Sequence, residues 1–502
     1  MKLGATTYTV PTLVGATLGA SVLALSTKAL ALVIAGSAFI GMMASAAFPY
    51  FILVATIPVQ VDLLGGVTVT KLITPLAIGM VTINALIHRG PWPVLLRWPA
   101  GYLAGMFFLT SLLSLVGGNL HGFPGEAAKV PVYGALFFLT LTFNRTADDL
   151  RRLLWVITIT GVGEALITAA QVHYGFVMPG DWRRNVGLPS EGGVDGAFMS
   201  ISEGKVRAEG TTAHPIFLAS FFLMAMPCTT FLLFHEKHPW VKASLAAMLC
   251  LMGYAWVYTF ARSSVVGFVF LILVALWFQS KLVRKLSVIA LVLVLAGGLS
   301  YQVVSEWFQA GVHTVESQSL FGKADLNESS GSFAFRRESI VGGWNLFLAY
   351  PWFGVGFGQA INHYVKYLPS WADHYYHPAV IHNMFLEVAS ELGVFALSAF
   401  IGMWAWAFVC LKRGLRIPAL RSYAVLLTSL LVGQIAFLMI TPMVREIWLT
   451  LPMAMAIGHM ARSNASPEGG FFSVRVDEAK PQQVWRDERA NRLSGARPEM
   501  RT

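Results

Sequence analysis

The segment 382–387 combines a histidine, an amide and a carboxylate at the start of an apolar run. His382 and Asn383 are followed by Glu387, and Glu391 continues the same spacing. On a helix, positions 383, 387 and 391 share one face, and His382 lies about 100° from Asn383. A neutral imidazole at a helix start can accept a proton from an incoming hydroxyl. His382 is therefore the candidate base, with Asn383 and Glu387 as supporting residues, and a capping or packing histidine is the alternative.

The segment 207–215 places an arginine, a carboxylate and a histidine just before another apolar run. Arg207 and Glu209 precede His214 and Pro215. Proline is favoured at the first position of a helix, so a span is predicted to start here. The Arg207 guanidinium could hold a phosphate through two parallel hydrogen bonds, or it could anchor the helix at the membrane surface. Glu209 and His214 are candidate supporting residues.

Two other motifs contribute arginines. Arg262 stands in a tight turn between two apolar runs, a turn that needs no arginine to fold. Arg336 and Arg337 precede a glycine-rich run at 354–358, which lacks the strand and the acidic partner of a dinucleotide-binding fingerprint. Burying a guanidinium near lipid without a partner is costly. Arg262 is therefore a candidate anion-binding residue, the glycine-rich run is a turn between loop helices, and no cofactor is predicted.

A cluster of histidines and aromatic residues lies in the same polar stretch. His363, His374 and His377 precede His382, but their spacings match no helical ligand pair, so no metal site is predicted. Aromatic faces suit the apolar faces of sugar rings, although membrane-interface belts use the same residue types. The aromatic residues concerned are Trp307, Trp344, Trp352, Trp371, Tyr364, Tyr367, Tyr375 and Tyr376.

The composition is that of a protein embedded in membrane lipid. The 502 residues are 56% hydrophobic and only 12% charged, against about 25% charged residues in soluble domains. Three cysteines lie in apolar runs, which leaves no disulfide framework or zinc spacing. The net charge of +10 comes mainly from short loops and the tail, so it indicates membrane topology rather than nucleic-acid binding.

The apolar runs predict an all-α polytopic membrane protein. A spanning helix needs about 20 mostly apolar residues. Runs of that size lie at 9–26, 29–47, 49–65, 71–87, 98–117, 129–143, 152–174, 214–234, 243–261, 264–280, 286–304, 381–411, 420–440 and 444–461. Twelve to fourteen transmembrane helices are expected, because the first three runs are crowded and one of them could be re-entrant or interfacial.

Charged loops predict the orientation. Five short basic loops alternate with longer or less basic ones, which places the basic loops and both termini in the cytoplasm. Two long loops then face outward, the larger of them before the last three spans. The predicted parts are N-terminal spans (1–174), a first periplasmic loop (175–213), middle spans (214–304), a large periplasmic loop (305–380), C-terminal spans (381–461) and a disordered cytoplasmic tail (462–502).

The order of these motifs resembles that of the bacterial O-antigen ligase and O-antigen polymerase family. The matching elements are Arg207, Gly210, His214 and Pro215; Arg262 and Ser263; Arg336, Pro351, Gly354 and Gly356; and His382, Asn383, Leu386 and Gly393. The resemblance covers about 205–400, and the N-terminal half matches only as a series of spans.

The resemblance implies a metal-independent, inverting glycosyltransferase of the bacterial inner membrane. Members take a glycan from undecaprenyl diphosphate at the periplasmic face and transfer it to lipid A core or to another glycan. It further implies that Arg207, Arg262 and Arg336 contact the diphosphate and that His382 acts on the acceptor hydroxyl. Because Arg337 follows Arg336, either could be the one aimed at phosphate.

Other functions compete with this one. Nothing in the sequence specifies a lipid A core partner, so a polysaccharide polymerase is favoured over an O-antigen ligase. A transporter or flippase of lipid-linked oligosaccharides is the main alternative, but it would need polar residues deep within several spans. A scaffold for envelope assembly would leave the arginines unexplained.

Overall fold

The structure is a computed structural model of the 502-residue chain. It describes residues 47–60, 62–64, 67–87, 99–117, 129–174, 200–202, 205–212, 214–279, 324–369, 381–442 and 444–465. The described residues up to Met460 belong to one compact unit, and those from Ala461 belong to a second. The predicted spans 9–26 and 286–304, all of 29–47 except Ala47, and the predicted tail beyond 465 lie outside the described residues.

Helices dominate the described residues. In chain order they are α1 (Phe48–Ala55), α2 (Val69–Ile87), α3 (Pro99–Gly117), α4 (Lys129–Phe143), α5 (Ala147–Tyr174), α6 (Pro215–His235), α7 (Pro239–Val257), α8 (Arg262–Trp277), α9 (Ala324–Ala349), α10 (Ala360–His363), α11 (Met384–Gly414), α12 (Pro418–Leu438) and α13 (Ile447–Ala465), with a 3-10 turn at Tyr364–Tyr367 after α10. The strands form two short antiparallel hairpins, β1 (Asp62–Leu64) with β2 (Val67–Thr68) and β3 (Ser200–Ser202) with β4 (Lys205–Arg207).

The all-α polytopic prediction is confirmed. Within the described part of the chain, α5, α6, α7, α11 and α12 are long and apolar enough to cross a bilayer. Shorter apolar helices occupy Val69–Thr82, Pro99–Ser114, Lys129–Phe143 and Arg262–Trp277. These elements coincide with the apolar runs predicted from the sequence, and the hairpins lie between helices.

The predicted span 49–65 is not a single helix. Helix α1 ends at Ala55, and the chain then continues to the β1–β2 hairpin. Pro58 disfavours helical backbone at the preceding Ile57, which gives a local reason for the early end. An eight-residue helix rises only about 12 Å and cannot cross a bilayer alone.

An aromatic cluster forms the centre of the helix bundle. Trp448 of α13 is fully buried and lies 5.0 Å, centroid to centroid, from Phe107 of α3. Its ring stacks on Tyr133 of α4 at 5.4 Å and approaches Phe400 of α11 at 6.1 Å. Large rings bury much apolar area, so this cluster ties the early helices to the C-terminal ones.

Three basic helix connections lie together at one end of the bundle, called here the basic end. Arg151, at the start of α5, forms a 2.9 Å ion pair with Glu236, just after α6. The ring of Phe231 in α6 lies 4.7 Å from that of Tyr423 near the start of α12. The connections 144–152, 235–242 and 412–421 are thereby brought to one side of the bundle.

The motif residues lie at the other end, called here the site end. It contains the starts of α6, α8 and α11 and the ends of α5, α7 and α12, because successive helices run antiparallel. Helix α8 packs along α12, α6 packs on α5 and α7, and α9 packs on α11. These contacts bring residues from distant parts of the sequence to one end of the bundle.

A break in α11 receives the glycine-rich loop at 351–358. Gly393 has φ +77°, which interrupts the helix, and Val394 N–H donates to Pro351 O at 2.8 Å. A Cβ on Gly393 would overlap the Trp352 carbonyl, and one on Gly354 would overlap the backbone of Glu391. Glycine is therefore required on both sides of this backbone contact.

Candidate functional site

One buried hydroxyl joins the two segments that carry the main candidates. Ser339 of α9 donates from Oγ to the backbone carbonyl of Arg336 at 3.1 Å. The same Oγ accepts the backbone N–H of His382 at 3.1 Å. Ser339 is fully buried, so this bridge is shielded from solvent and holds His382 against α9. Sequence reasoning missed Ser339, since a serine inside a polar stretch carries no distinguishing pattern.

Arg336 interacts electrostatically with both Arg262 and His382. Its pKa is lowered first by burial and then by the positive charge of Arg262. The pKa of His382 is lowered to about 4, again first by burial and then by the charge of Arg336. Two guanidinium groups and an imidazole are thus close enough to influence one another. The His382 ring is neutral at neutral pH and can accept a proton.

Arg337 differs from its neighbour. It is exposed, whereas Arg336 is half-buried, and successive helical residues point about 100° apart. The electrostatic link to Arg262 and His382 belongs to Arg336. The structure brings Arg336 close enough to the candidate base for its charge to lower the pKa of His382.

Asn383 fixes the backbone around His382. Its Oδ1 accepts the N–H of Leu386 at 3.0 Å, so Asn383 is the N-cap of α11. Its Nδ2 donates to the carbonyl of Met439, just after α12, at 3.1 Å. His382 therefore precedes the N-cap, and Asn383 caps this helix. Glu387 lies one turn further, with its N–H bonded to Asn383 O at 2.8 Å.

Arg207 is the last residue of β4. The next residue, Ala208, donates its N–H to the carbonyl of Tyr258 at 3.0 Å. Tyr258 directly follows α7 and lies four residues before Arg262 in the same turn. The backbone at Arg207 is thereby placed beside the turn that carries Arg262.

The two supporting candidates of that motif have structural contacts. His214 is the N-cap of α6, and its Nδ1 accepts the N–H of Ile216 at 3.1 Å. Glu209 is buried, and its backbone carbonyl accepts both the N–H and the hydroxyl of Thr212 at 3.0 and 2.7 Å. Both residues therefore shape the turn between β4 and α6.

Glu391 orders the glycine-rich loop. Its Oε2 accepts the N–H of Gly358 at 2.9 Å, and its Oε1 accepts that of Ala360, at the start of α10, at 3.2 Å. Phe357 N–H donates to Ser114 Oγ of α3 at 3.2 Å. The loop is thus fixed to two helices, and it binds them through its backbone rather than presenting amides for a nucleotide.

The aromatic residues divide into two groups. Trp344 and Trp352 are exposed, with 51% and 62% of their surface accessible, and could contact a ligand or lipid. Tyr364 is buried, and Tyr367 bonds to Tyr350 at 3.4 Å between the hydroxyls. Trp307, Trp371, Tyr375 and Tyr376 lie outside the described residues.

Metal-ligand groups are not found in the part of the chain that the structure describes. No three His, Cys, Asp or Glu side chains there are arranged to hold a metal ion. His363 lies at the end of α10, 6.3 Å from the ring of Tyr350. His374 and His377 lie outside the described residues.

A comparison with protein families identifies the segment that builds this site. Residues 247–401 match the model described as O-antigen ligase. Over this segment, here called the O-antigen ligase segment, the chain is similar to O-antigen ligases. A comparison with curated proteins finds no match.

The O-antigen ligase segment covers most of the site. It extends from within α7 into α11 and therefore includes Arg262, Arg336, Ser339 and His382. Arg207 lies before it. The chain is thus a polytopic membrane protein that, over residues 247–401, is similar to O-antigen ligases.

Proposed function

We propose that this protein is an inner-membrane glycosyltransferase that moves a glycan from undecaprenyl diphosphate to an acceptor sugar hydroxyl at the periplasmic face. The reaction is metal-independent and inverts the anomeric carbon. The observation that carries the proposal is that Arg262, Arg336 and His382 lie near one another. These three residues are far apart in the sequence. This combination suits a reaction that needs one base and a receptor for a highly charged leaving group.

The arginines bind the diphosphate in this proposal. Arg336 is half-buried and is repelled by the charge of the exposed Arg262, so an anion bound between them offsets the repulsion and the cost of burying Arg336. As the glycosidic bond breaks, negative charge grows on the diphosphate oxygen. Guanidinium groups that bind the leaving diphosphate, with its extra charge, more strongly than the intact donor lower the barrier. Arg207 is the third arginine that binds the diphosphate. Of the neighbouring pair Arg336 and Arg337, we propose that Arg336 binds it.

His382 accepts the proton of the acceptor. The acceptor oxygen attacks the anomeric carbon from the face opposite the diphosphate, and its proton passes to the imidazole. The bond from the anomeric carbon to the diphosphate oxygen breaks, and undecaprenyl diphosphate leaves with the electron pair. The imidazolium then returns its proton to water or to the released diphosphate. The reaction requires the donor and the acceptor, and neither a redox agent nor a third substrate.

Donor binding strengthens the base. Burial first, and then the charge of Arg336, hold the pKa of His382 at about 4 in the free protein. An imidazole with such a low pKa is a weak base. A bound diphosphate offsets the charge of Arg336 and raises that pKa towards the working pH. The base is therefore activated when the donor is in place.

The orientation follows from the charge distribution. Lys and Arg accumulate in cytoplasmic loops of membrane proteins. The basic end carries Arg145, Arg151, Lys412 and Arg413, so this end faces the cytoplasm and the site end faces the periplasm. A prenyl-linked donor presented at the outer leaflet then meets the arginines at the membrane surface.

A polysaccharide polymerase is the form we propose, ahead of an O-antigen ligase. Both use the same donor chemistry and differ only in the acceptor, another glycan or lipid A core. Nothing in the sequence or among the described contacts specifies a lipid A core.

The test is turnover by purified protein in detergent. The full-length chain is incubated with undecaprenyl-diphosphate-linked glycan and either a glycan acceptor or lipid A core, and products are resolved by mass spectrometry. We expect transfer without any ion gradient, no sensitivity to chelator, and inversion at the anomeric carbon. Elongated glycan indicates a polymerase, and modified lipid A core indicates a ligase.

Two results would overturn the proposal. Donor binding without product under all acceptor conditions, together with movement of donor across liposome bilayers, would indicate a flippase. Chelator-sensitive transfer would contradict metal independence. The His382→Ala variant is the matched control, because it removes the base but leaves the arginines that bind the donor.

A further inference from the structure

A buried carboxylate in α5 is used by no step of the proposed reaction. Glu164 is 3% exposed, and α5 is one of the helices long and apolar enough to span the membrane. Ionisable residues inside spans are rare because they are costly to remove from water. A buried carboxylate therefore needs hydrogen-bond partners, and the residue that supplies them indicates what the carboxylate does.

The partner of Glu164 is the turn that follows Arg207. Thr211 donates its backbone N–H to Glu164 Oε2 at 2.8 Å, and its hydroxyl donates to Glu164 Oε1. Both carboxylate oxygens are thus occupied by one residue. Thr211 O in turn accepts the N–H of Gln60, in the segment after α1, at 3.0 Å.

A second side chain of α5 binds the neighbouring residue. Gln171 Nε2 donates to the carbonyl of Gly210 at 2.8 Å, and Gly210 N–H donates to Gln171 Oε1 at 2.9 Å. Glu164 and Gln171 are seven residues apart, so they share one face of α5. Both are buried, and together they bind consecutive residues of the turn.

The glycine in this turn has a steric reason. Gly210 has φ +62°, in the left-handed region that other residues rarely adopt. A Cβ at this position would overlap Glu164 Oε2 and would come within 3.0 Å of Leu218 Cδ1. Arg207 therefore lies three residues before a glycine whose lack of a side chain lets the turn pack directly against Glu164.

We infer that Glu164 and Gln171 are positioning residues, which hold the 208–212 segment so that Arg207 stays beside Arg262. The inference rests on the proposed function for the role of Arg207. The segment is bound by α5 on one side and by Tyr258, through the N–H of Ala208, on the other. Release from α5 would remove the contacts that hold this segment on the side opposite Tyr258.

Glu164→Gln tests the inference with little change in shape. The amide offers one acceptor oxygen, so one of the two Thr211 donors loses its partner. We expect the donor KM to rise about fivefold to tenfold, with kcat changed less than twofold. Glu236→Gln is the matched control, because it breaks the ion pair of Arg151 at the other end of the same helix. That variant is expected to keep the wild-type KM.

A double-mutant cycle links the effect to Arg207. If Glu164 acts through Arg207, adding Glu164→Gln to Arg207→Lys raises the donor KM no further. If the two substitutions raise the donor KM by factors that multiply in the double variant, the inference is overturned, because Glu164 then acts independently of Arg207. If Glu164→Gln fails to fold, Thr211→Val removes only the hydroxyl donor and replaces it in the same cycle.

Hydrogen exchange provides a readout that does not need activity. In the wild type, the amides of Gly210 and Thr211 donate to α5 and should exchange slowly. Faster exchange within 208–212 in Glu164→Gln, but not in Glu236→Gln, supports the inference. Unchanged exchange overturns it, even if transfer is observed. If the wild type transfers no glycan but exchange responds as expected, the proposed function fails while the attachment of the segment to α5 stands.

Discussion

The two ends of the helix bundle use arginine in opposite ways. At the basic end, Arg151 faces Glu236 at 2.9 Å and Arg152 faces Asp149 at 3.4 Å. At the site end, the charged neighbour that lowers the pKa of Arg336 is another arginine, Arg262. The first arrangement brings opposite charges together, and the second brings like charges together.

This difference separates structural charge from functional charge. Ion pairs near a surface contribute little to stability and are consistent with a topological role for the basic end. A half-buried arginine held near a like charge is destabilising, and such an arrangement is more often found where function requires it. A bound anion would remove the repulsion, which is why the site end is the diphosphate receptor in our proposal.

Loss of the candidate base should have the largest effect. General-base catalysis contributes about 10²-fold to 10⁴-fold, so we expect His382→Ala to reduce kcat by that order while donor binding persists. His235→Gln, at the basic end, is the control and should transfer glycan normally. Transfer rates and donor affinity would be measured on the same preparations. Retained activity in His382→Ala would remove the base assignment.

Removal of the central charge at the site end should both slow the reaction and change its pH dependence. We expect Arg336→Gln to lower kcat about 10²-fold, since it loses a charged donor to the leaving group. Burial and the Arg336 charge hold the pKa of His382 at about 4, so loss of the charge raises this pKa. Activity needs the neutral ring, so the acid limb of the pH–rate profile should move to higher pH. An unmoved limb would contradict the coupling.

Matched arginine-to-lysine changes compare the ends directly. Lysine keeps the charge but cannot form two parallel hydrogen bonds to phosphate. We expect Arg262→Lys to reduce kcat/KM by about tenfold or more and Arg151→Lys to leave it within twofold. Both would be measured by initial rates of glycan transfer. Equal effects at the two ends would make Arg262 a structural residue.

The Ser339 bridge should give the smallest of these effects. Ser339→Ala removes one hydroxyl, leaving the N–H of His382 without this acceptor. We expect kcat to fall about threefold to tenfold, with the donor KM little changed, because the base shifts while the arginines remain. Ser339→Thr keeps the hydroxyl and should recover part of the activity. A KM effect equal to the kcat effect would indicate general disruption of α9.

The motif pattern predicted most residues of the candidate site, but not which of them are buried, exposed or used as helix caps. The sequence singled out His382, Arg262 and the pair Arg336–Arg337. Only the packing of α9 on α11 separated the half-buried Arg336 from the exposed Arg337. His214 and Asn383 cap helices, a role that depends on the backbone geometry at each helix start.

Other contributions could not be read from sequence patterns. Ser339 and Glu164 act on residues far along the chain, Glu164 being 47 positions from Thr211. A single serine or glutamate has no periodicity or spacing that would distinguish it. The early end of α1 was also missed, because apolar composition continued past the helix.

By itself, the sequence determined that this is a polytopic helical membrane protein whose basic loops alternate with longer ones. Hydrophobic run length and loop charge are local properties, and lipid accepts few structures other than helices for such runs. The tertiary structure alone decided that Arg262, Arg336 and His382 meet at one end of the bundle. These contacts depend on which helix faces pack together and on which groups the backbone hydrogen-bonds to. Neither can be read from any single segment of the sequence.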